Sequence, residues 1–343
     1  MLGVRHLRTF PAYLALCCHA LSLYAGDADP FTLRKASLHN ALPTLNAITN
    51  SVLQDAVGEL NHDPHASCNP QALRSKVRRA FGGWGWGKFE RDLEHNHYPD
   101  IEILHLKRTD SIYQDFGPLE SMTMYFVPLS GMIRIKEYYI SLDKIGHFFE
   151  EGYFFYHHLF EEKKDLPFIA TLNQESELGI FGLFMMGIYS YADTVANANG
   201  TLFYRALSQN TDLTNTSDID NRVTYFRCEQ KHWVLSKPFV WEDYIDASWD
   251  EGINCNMYRS EKMHNAVQKN IQSLGFASCP VQNISLPEYR RIAGRIGAYT
   301  LNPQMLPQNA QQQYGVFSQI HRPEMDWRYF RFVLNQLIDS LLL

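Results

Sequence analysis

Residues 141–160 read SLDKIGHFFEEGYFFYHHLF, and the period of this stretch decides the fold class. At about 100° per residue, Asp143, His147, Glu150, Glu151 and His158 fall within one arc of roughly a third of a turn. Phe148, Phe149, Tyr153, Phe155, Tyr156, Leu159 and Phe160 take the other side. The spacing predicts an amphipathic helix with one aromatic face and one face of acids and imidazoles. Helical period then continues from 143 to 208.

Outward from that stretch, residues 30–61 carry apolar residues at helical intervals, and a second helix is expected from Gln71 to Phe81. GGWGWG at 82–87 stops it; without a GK[ST] ending this is a tight turn packed by its two Trp rings, not a phosphate loop. Between Ile101 and Ile140, partial alternation with a Pro/Gly interruption predicts a small β-hairpin. Residues 208–221 read as a polar loop, and a last helix is expected from about Met325 to the C-terminus. No internal repeat or low-complexity linker interrupts the chain. The expected fold is mainly α, an α+β arrangement with a small β-hairpin, forming a single helical domain over 26–343 around a buried polar cluster.

The apolar share of 45% and charged share of 20% are those of a globular chain. A net charge of −6 with no long basic run gives no footprint for phosphate backbones, so nucleic acid is excluded as a partner. Arg5 and Arg8 precede an apolar run from Tyr13 to Tyr24, which fits a secretory signal over residues 1–25, cleaved after Ala20 or Ala25. A lipid anchor on Cys17 and an uncleaved anchor helix are the alternatives. No later segment reaches the about 18 apolar residues that a spanning helix needs. A periplasmic or secreted location follows. Export leaves Cys68, Cys228, Cys255 and Cys279, without a CxxC, which favours two disulfides over a metal site. Cys255 with Cys279 closes the shortest loop and is the favoured pair.

Asp143 and His147, four apart, project together, so the carboxylate can orient the imidazole as a base or both can ligate a metal. His147 and Glu151 repeat that spacing, but the second His of HExxH is missing. Glu177 precedes an apolar, Gly-spaced run, and Asp193 and Asn197 follow at the same i, i+4 interval among Ala192, Ala196, Ala198 and Gly200. A buried Asp there must find partners, and a structural pair tying helix ends would give the same pattern.

Glu242, Asp243, Asp246, Asp250 and Glu251 lie beside Trp241, Tyr244 and Trp249, a composition shared by glycosidase carboxylate pairs and by acidic surface loops. From it, Glu251 with Asn254 is the part expected to join the site around His147. The His pairs at 95/97 and 157/158 read as surface residues. No GxSxG elbow or supported Cys-His arrangement is present. Sequons at Asn199, Asn215 and Asn283 matter only in a eukaryotic secretory host.

The order DKxxHF, then Glu, then SxxDxxxNxxG, carried by Asp143, Lys144, His147, Phe148, Glu177, Ser190, Asp193, Asn197 and Gly200, resembles the VanZ-like and YfiM-like bacterial envelope families. It covers about 60 of 343 residues. The resemblance implies a helical envelope protein with a shared polar core, and implies no particular reaction; this chain lacks the spanning helices those families place around the motif.

The expected function is a hydrolase acting on an envelope lipid or glycan. In it His147 is base or metal ligand, Asp143 orients it, Glu177 and Asp193 supply further acid-base groups, and Lys144 neutralises developing charge. Asn197, Glu151 and Glu251 face substrate. A divalent metal, where bound, would take His147, Glu151 and Asp193. The alternative is a non-catalytic envelope protein whose polar cluster fixes helix packing.

Overall fold

The computed structural model describes residues 27–63, 68–82, 87–178, 182–183, 185–208 and 224–311. The expected signal (1–25), the Trp-bearing centre of GGWGWG, the polar loop beyond Ser208 and the C-terminal helix lie outside the described residues.

The chain runs α1 (Leu42–Asn61), α2 (Pro70–Phe81), α3 (Lys88–Glu94), α4 (Thr123–Phe126), β1 (Met132–Ile135), β2 (Tyr138–Ser141), α5 (Asp143–Phe149), α6 (Glu151–Tyr156) and α7 (Leu166–Leu178). It continues with β3 (Ile188–Tyr189), α8 (Tyr191–Ala206), β4 (Phe226–Glu229), β5 (His232–Leu235), β6 (Met257–Tyr258), α9 (Glu261–Ser273) and α10 (Leu286–Ile296). The fold is mainly α with, among the described residues, three two-stranded antiparallel sheets, β1-β2, β3-β6 and β4-β5. The expected hairpin is β1-β2, turning at Lys136 with φ 56°. IEILHLKR contributes to it only a bridge from Leu104 to Met132.

Local chemistry sets the helix ends. α1 buries Leu42, Leu45, Thr49, Leu53, Ala56, Val57 and Leu60, the stripe of an amphipathic helix. It starts at Leu42, later than expected, because the Asp29 carboxylate accepts from the backbone N–H groups of Phe31, Thr32 and Ile112 and holds the preceding chain in another shape. Asn69 caps α2 by accepting from Gln71 and Ala72 N–H, and Pro70 presets its first turn. Ser190 caps α8, accepting from Asp193 N–H.

The expected single helix over 143–160 is broken. α5 ends at Phe149, Glu150 takes φ −87°, ψ −66°, α6 follows, and His157–Glu161 form a π turn. Glu150 therefore leaves the polar face and pairs with Arg78 at 3.6 Å, and His158 pairs with Glu162 at 2.8 Å. A backbone contact explains where α6 must lie. A Cβ on Gly152 would sit 2.5 Å from Gly200 Cα, and one on Gly200 would sit 1.9 Å from the Phe148 carbonyl oxygen. Only glycines let α6 and α8 approach so closely.

On the aromatic side, Phe148 and Phe149 pack with Phe203, Trp241 and each other at centroid separations of 4.9–5.7 Å. A second apolar cluster gathers Phe31, Ile112, Tyr113, Phe116, Met263, Val267 and Ile271. Disulfides join Cys68 to Cys228 and, as favoured, Cys255 to Cys279. Among the described residues no helix is long and apolar enough to cross a membrane.

Candidate functional site

Lys144, from the first turn of α5, has no solvent exposure. Its ammonium lies 2.9 Å from Asp143 Oδ2, 2.5 Å from Asp193 Oδ1, 3.0 Å from Glu251 Oε1 and 3.8 Å from Asp27 Oδ1. An ammonium has three protons, and the three close carboxylates account for all of them. Against burial, which disfavours its charge, these acids hold the Lys144 pKa well above the ordinary value. Lys144 cannot reach a substrate; it neutralises the acids of its own cluster.

Each acid is fixed further. Asp143 accepts from the Ser141 hydroxyl and from Lys144 N–H, while its own N–H donates to Ser130 Oγ at 3.1 Å. Ser190 Oγ sits 3.0 Å from Asp193 Oδ1 and 2.9 Å from Glu251 Oε1. Asn256 Nδ2 donates to Glu251 Oε1 at 3.1 Å.

His147, one turn on from Lys144, stands at the rim with 23% of its side chain exposed. Its Nε2 faces Asp193 Oδ2 at 3.4 Å, and its Nδ1 faces Asn197 Oδ1 at 3.1 Å. A relay sets the second contact: Asn173 Nδ2 donates to the Thr194 carbonyl at 3.1 Å, so its Oδ1 accepts from Asn197 Nδ2 at 2.9 Å. That leaves Asn197 Oδ1 turned to the ring, so Nδ1 carries a proton. The orienting partner expected to be Asp143 is thus Asn197. Glu151 lies on the Nδ1 side at 3.7 Å and is 39% exposed.

The electrostatics separate the carboxylates. Burial, then the neighbouring charge of Asp193, pushes Glu177 well above the usual carboxylate range. Burial and Glu251 do the same to Asp27. Burial also raises Asp143, Glu151 and Glu251. Asp193 goes the other way: despite burial, the His147 imidazole and the Lys144 ammonium hold it below its ordinary value. His147 is raised against burial by Asp193, Glu151 and Asp143. One carboxylate is therefore kept ionised beside others that favour the proton.

Of the expected site residues, Asp143, Lys144, His147, Glu151, Asp193, Asn197 and Glu251 converge here. Glu177, 5% exposed, interacts electrostatically with Asp193, Asp27 and Lys144. Asn254 stays outside, bonded to Ser248, Thr300 and Asn302 backbone. The rest of the acidic 242–251 segment is structural. Asp250 pairs with Arg34, Asp246 caps Ser248 and pairs with Arg295 at 2.7 Å, and Asp243 pairs with Lys237 at 2.8 Å.

Asp27, Asn173 and Asn256 belong to the cluster and were not expected in it. Asn173 stands four residues before Glu177 on α7, a spacing that could have raised it; Asp27 and Asn256 carry no comparable signal.

One ligand atom each from Asp143, His147 and Asp193 lies within 4.8 Å of the others, and the same holds for Asp27, Asp193 and Glu251. The second trio already encloses the Lys144 ammonium. The arrangement can move a proton at a partly exposed imidazole, beside one acid held below its ordinary pKa and several raised by burial. No family model, curated protein or solved structure matches this chain.

Proposed function

We propose that the chain is an exported hydrolase of an envelope lipid or glycan, with His147 as the group that meets substrate. The observation that carries this reading is the placement of His147. It is exposed at the edge of an otherwise enclosed ionic cluster, with its tautomer set by Asn197 and its Nε2 beside the ionised Asp193. A cluster serving packing alone has no need of an oriented imidazole at its rim. In the reaction, the oxygen of a water bonds to the electrophilic atom of the ester, phosphoester or glycosidic link. The water's proton passes to His147 Nε2, and the departing oxygen takes a proton from Glu177. Export is supported by the two disulfides, which persist in oxidising compartments.

The scaffold reading has its own support in the complete enclosure of Lys144 and in the Gly152–Gly200 contact. His147→Gln and Glu177→Gln separate the two. Purified variants would be assayed against phospholipid and peptidoglycan fractions while thermal melting is followed. Catalysis requires a loss of about a hundredfold or more with the melting temperature of the parent. Wild-type protein inert on both fractions, or activity that falls only in step with melting, leaves the scaffold.

A further inference from the structure

His147, at the solvent edge of the cluster, has its Nε2 3.4 Å from Asp193 Oδ2, and one ligand atom each of His147, Asp193 and Asp143 lies within 4.8 Å of the others. We propose that these three side chains bind a single first-row divalent cation, Zn2+ or Mn2+, leaving a coordination position towards solvent. The inference rests on the catalytic reading of the same pocket and deepens it.

Four observations carry it. Acid exceeds base: Asp27, Asp143, Glu177, Asp193 and Glu251 are all buried, and Lys144 and His147 are the only cationic side chains among the described residues that touch them. An excess of enclosed carboxylate is costly unless protons or a cation offset it. Next, Glu251 is 3% exposed, and its Oε2 has no hydrogen-bond partner among the described residues, while its Oε1 meets Lys144, Ser190 and Asn256. A buried carboxylate oxygen without a donor, on an acid that shares Lys144 and Ser190 with Asp193, points to a cation or its water. Third, the Asn173–Asn197 relay holds a proton on His147 Nδ1, so Nε2, which faces Asp193, is the ring atom that gives up its proton to an arriving cation. Backing of one ring nitrogen while the other ligates is the usual support of a metal-bound histidine. Last, the choice of the third ligand follows from position: Lys144 meets acids of both trios, Glu151 lies on the Nδ1 side of the ring, away from Asp193, and Asp143 is the acid with a ligand atom within 4.8 Å of those of His147 and Asp193. The third ligand is Asp143.

One imidazole with two carboxylates suits Zn2+ or Mn2+ better than soft-ligand or all-oxygen ions. Three protein ligands plus an open position is the pattern in which a cation lowers the pKa of bound water.

The test is calorimetric titration of the chelator-treated, disulfide-intact protein with ZnCl2 and with MnCl2, alongside unloaded melting curves for every variant. We expect saturable binding of one ion per chain. His147→Gln, at the rim, should weaken it by about tenfold or more, and Asn197→Ala, which removes the ring's support together with the bond to Asn173, by about tenfold as well. Glu59→Gln, at an exposed acid paired with Lys76, should change it less than about twofold. Absence of saturable heat with both ions overturns the proposal, as does unchanged affinity in a folded His147→Gln. Saturable binding that His147→Gln weakens, in a protein that hydrolyses neither envelope fraction, upholds the ion site and sinks the hydrolase. Hydrolysis by a protein that binds neither ion does the reverse.

Discussion

Helix α8 has a buried cation at each end, and the two are satisfied in opposite ways. At its C-terminal end Arg74, 3% exposed, donates from Nε to the Tyr204 carbonyl at 3.1 Å and from Nη2 to Ser208 Oγ at 3.2 Å. Its guanidinium also lies 4.8 Å from the Tyr156 ring centroid. Among the described residues no carboxylate is hydrogen-bonded to it, and the last carbonyls of a helix already carry negative partial charge. At the N-terminal end Lys144 meets the opposite sign of the helix dipole, and it is held by Asp143, Asp193 and Glu251 with Asp27 behind them. Enclosing a cation does not by itself require acids. Those at the N-terminal end outnumber what one ammonium needs, a surplus that the Arg74 end lacks.

Breaking the acid-rich end should cost most. Lys144→Met strands several carboxylates against one another in a dry site, and we expect a loss of roughly 3–5 kcal/mol by urea denaturation. Adding Asp193→Asn should recover part of that loss, since the two positions share one interaction. Full additivity would show that the acids are not coupled through Lys144.

At the other end, Arg74→Met removes donors from one carbonyl and one hydroxyl and should cost about 1–3 kcal/mol in the same assay. A cost equal to that of Lys144→Met would erase the distinction between the ends.

A graded effect comes from pH. Asp27 and Glu177 have folded pKa values raised above 3.8 and 4.5. Their contribution is full below those ordinary values and is lost as pH rises through the folded ones. His147, raised above 6.5, acts with the same sign. Asp193, lowered from 3.8, contributes above that value and loses its share as pH falls. The melting temperature should therefore peak on the acid side of neutrality, and Glu177→Gln should flatten its alkaline limb. A melting temperature that climbs steadily from pH 5 to 8 contradicts this arrangement. The smallest effect belongs to the rim, where Glu151→Gln should shift stability by no more than about 0.5 kcal/mol.

Much of this was legible in the chain. The i, i+4 pairs Asp143/His147 and Asp193/Asn197 stand on α5 and α8 because helical period fixes which side chains share a face. The Asp143 to His158 wheel failed beyond Phe149, since propensity does not register the backbone break at Glu150 that the crossing of α6 with α8 accompanies. Asp27 and Asn256 were invisible because they reach the cluster through tertiary contacts, with no periodic partner in sequence. The segment 242–251 misled by composition: five acids in ten residues read alike, and only Arg34, Lys237 and Arg295, all distant in sequence or weakly placed, distinguish the structural ones from Glu251.

The contact between Gly152 and Gly200 bears on how relatives of this chain could be recognised. Charged residues can be exchanged or reordered while a pocket keeps its chemistry, but a backbone crossing this close admits no side chain at either position. Because Gly152 follows His147 by five residues and Gly200 follows Asn197 by three, the two glycines act as a ruler that fixes the distance from imidazole to amide. A distant sequence with His-x4-Gly across a helix break and Asp-x3-Asn-x2-Gly on another helix would carry the frame of this site even where its acids have been redistributed.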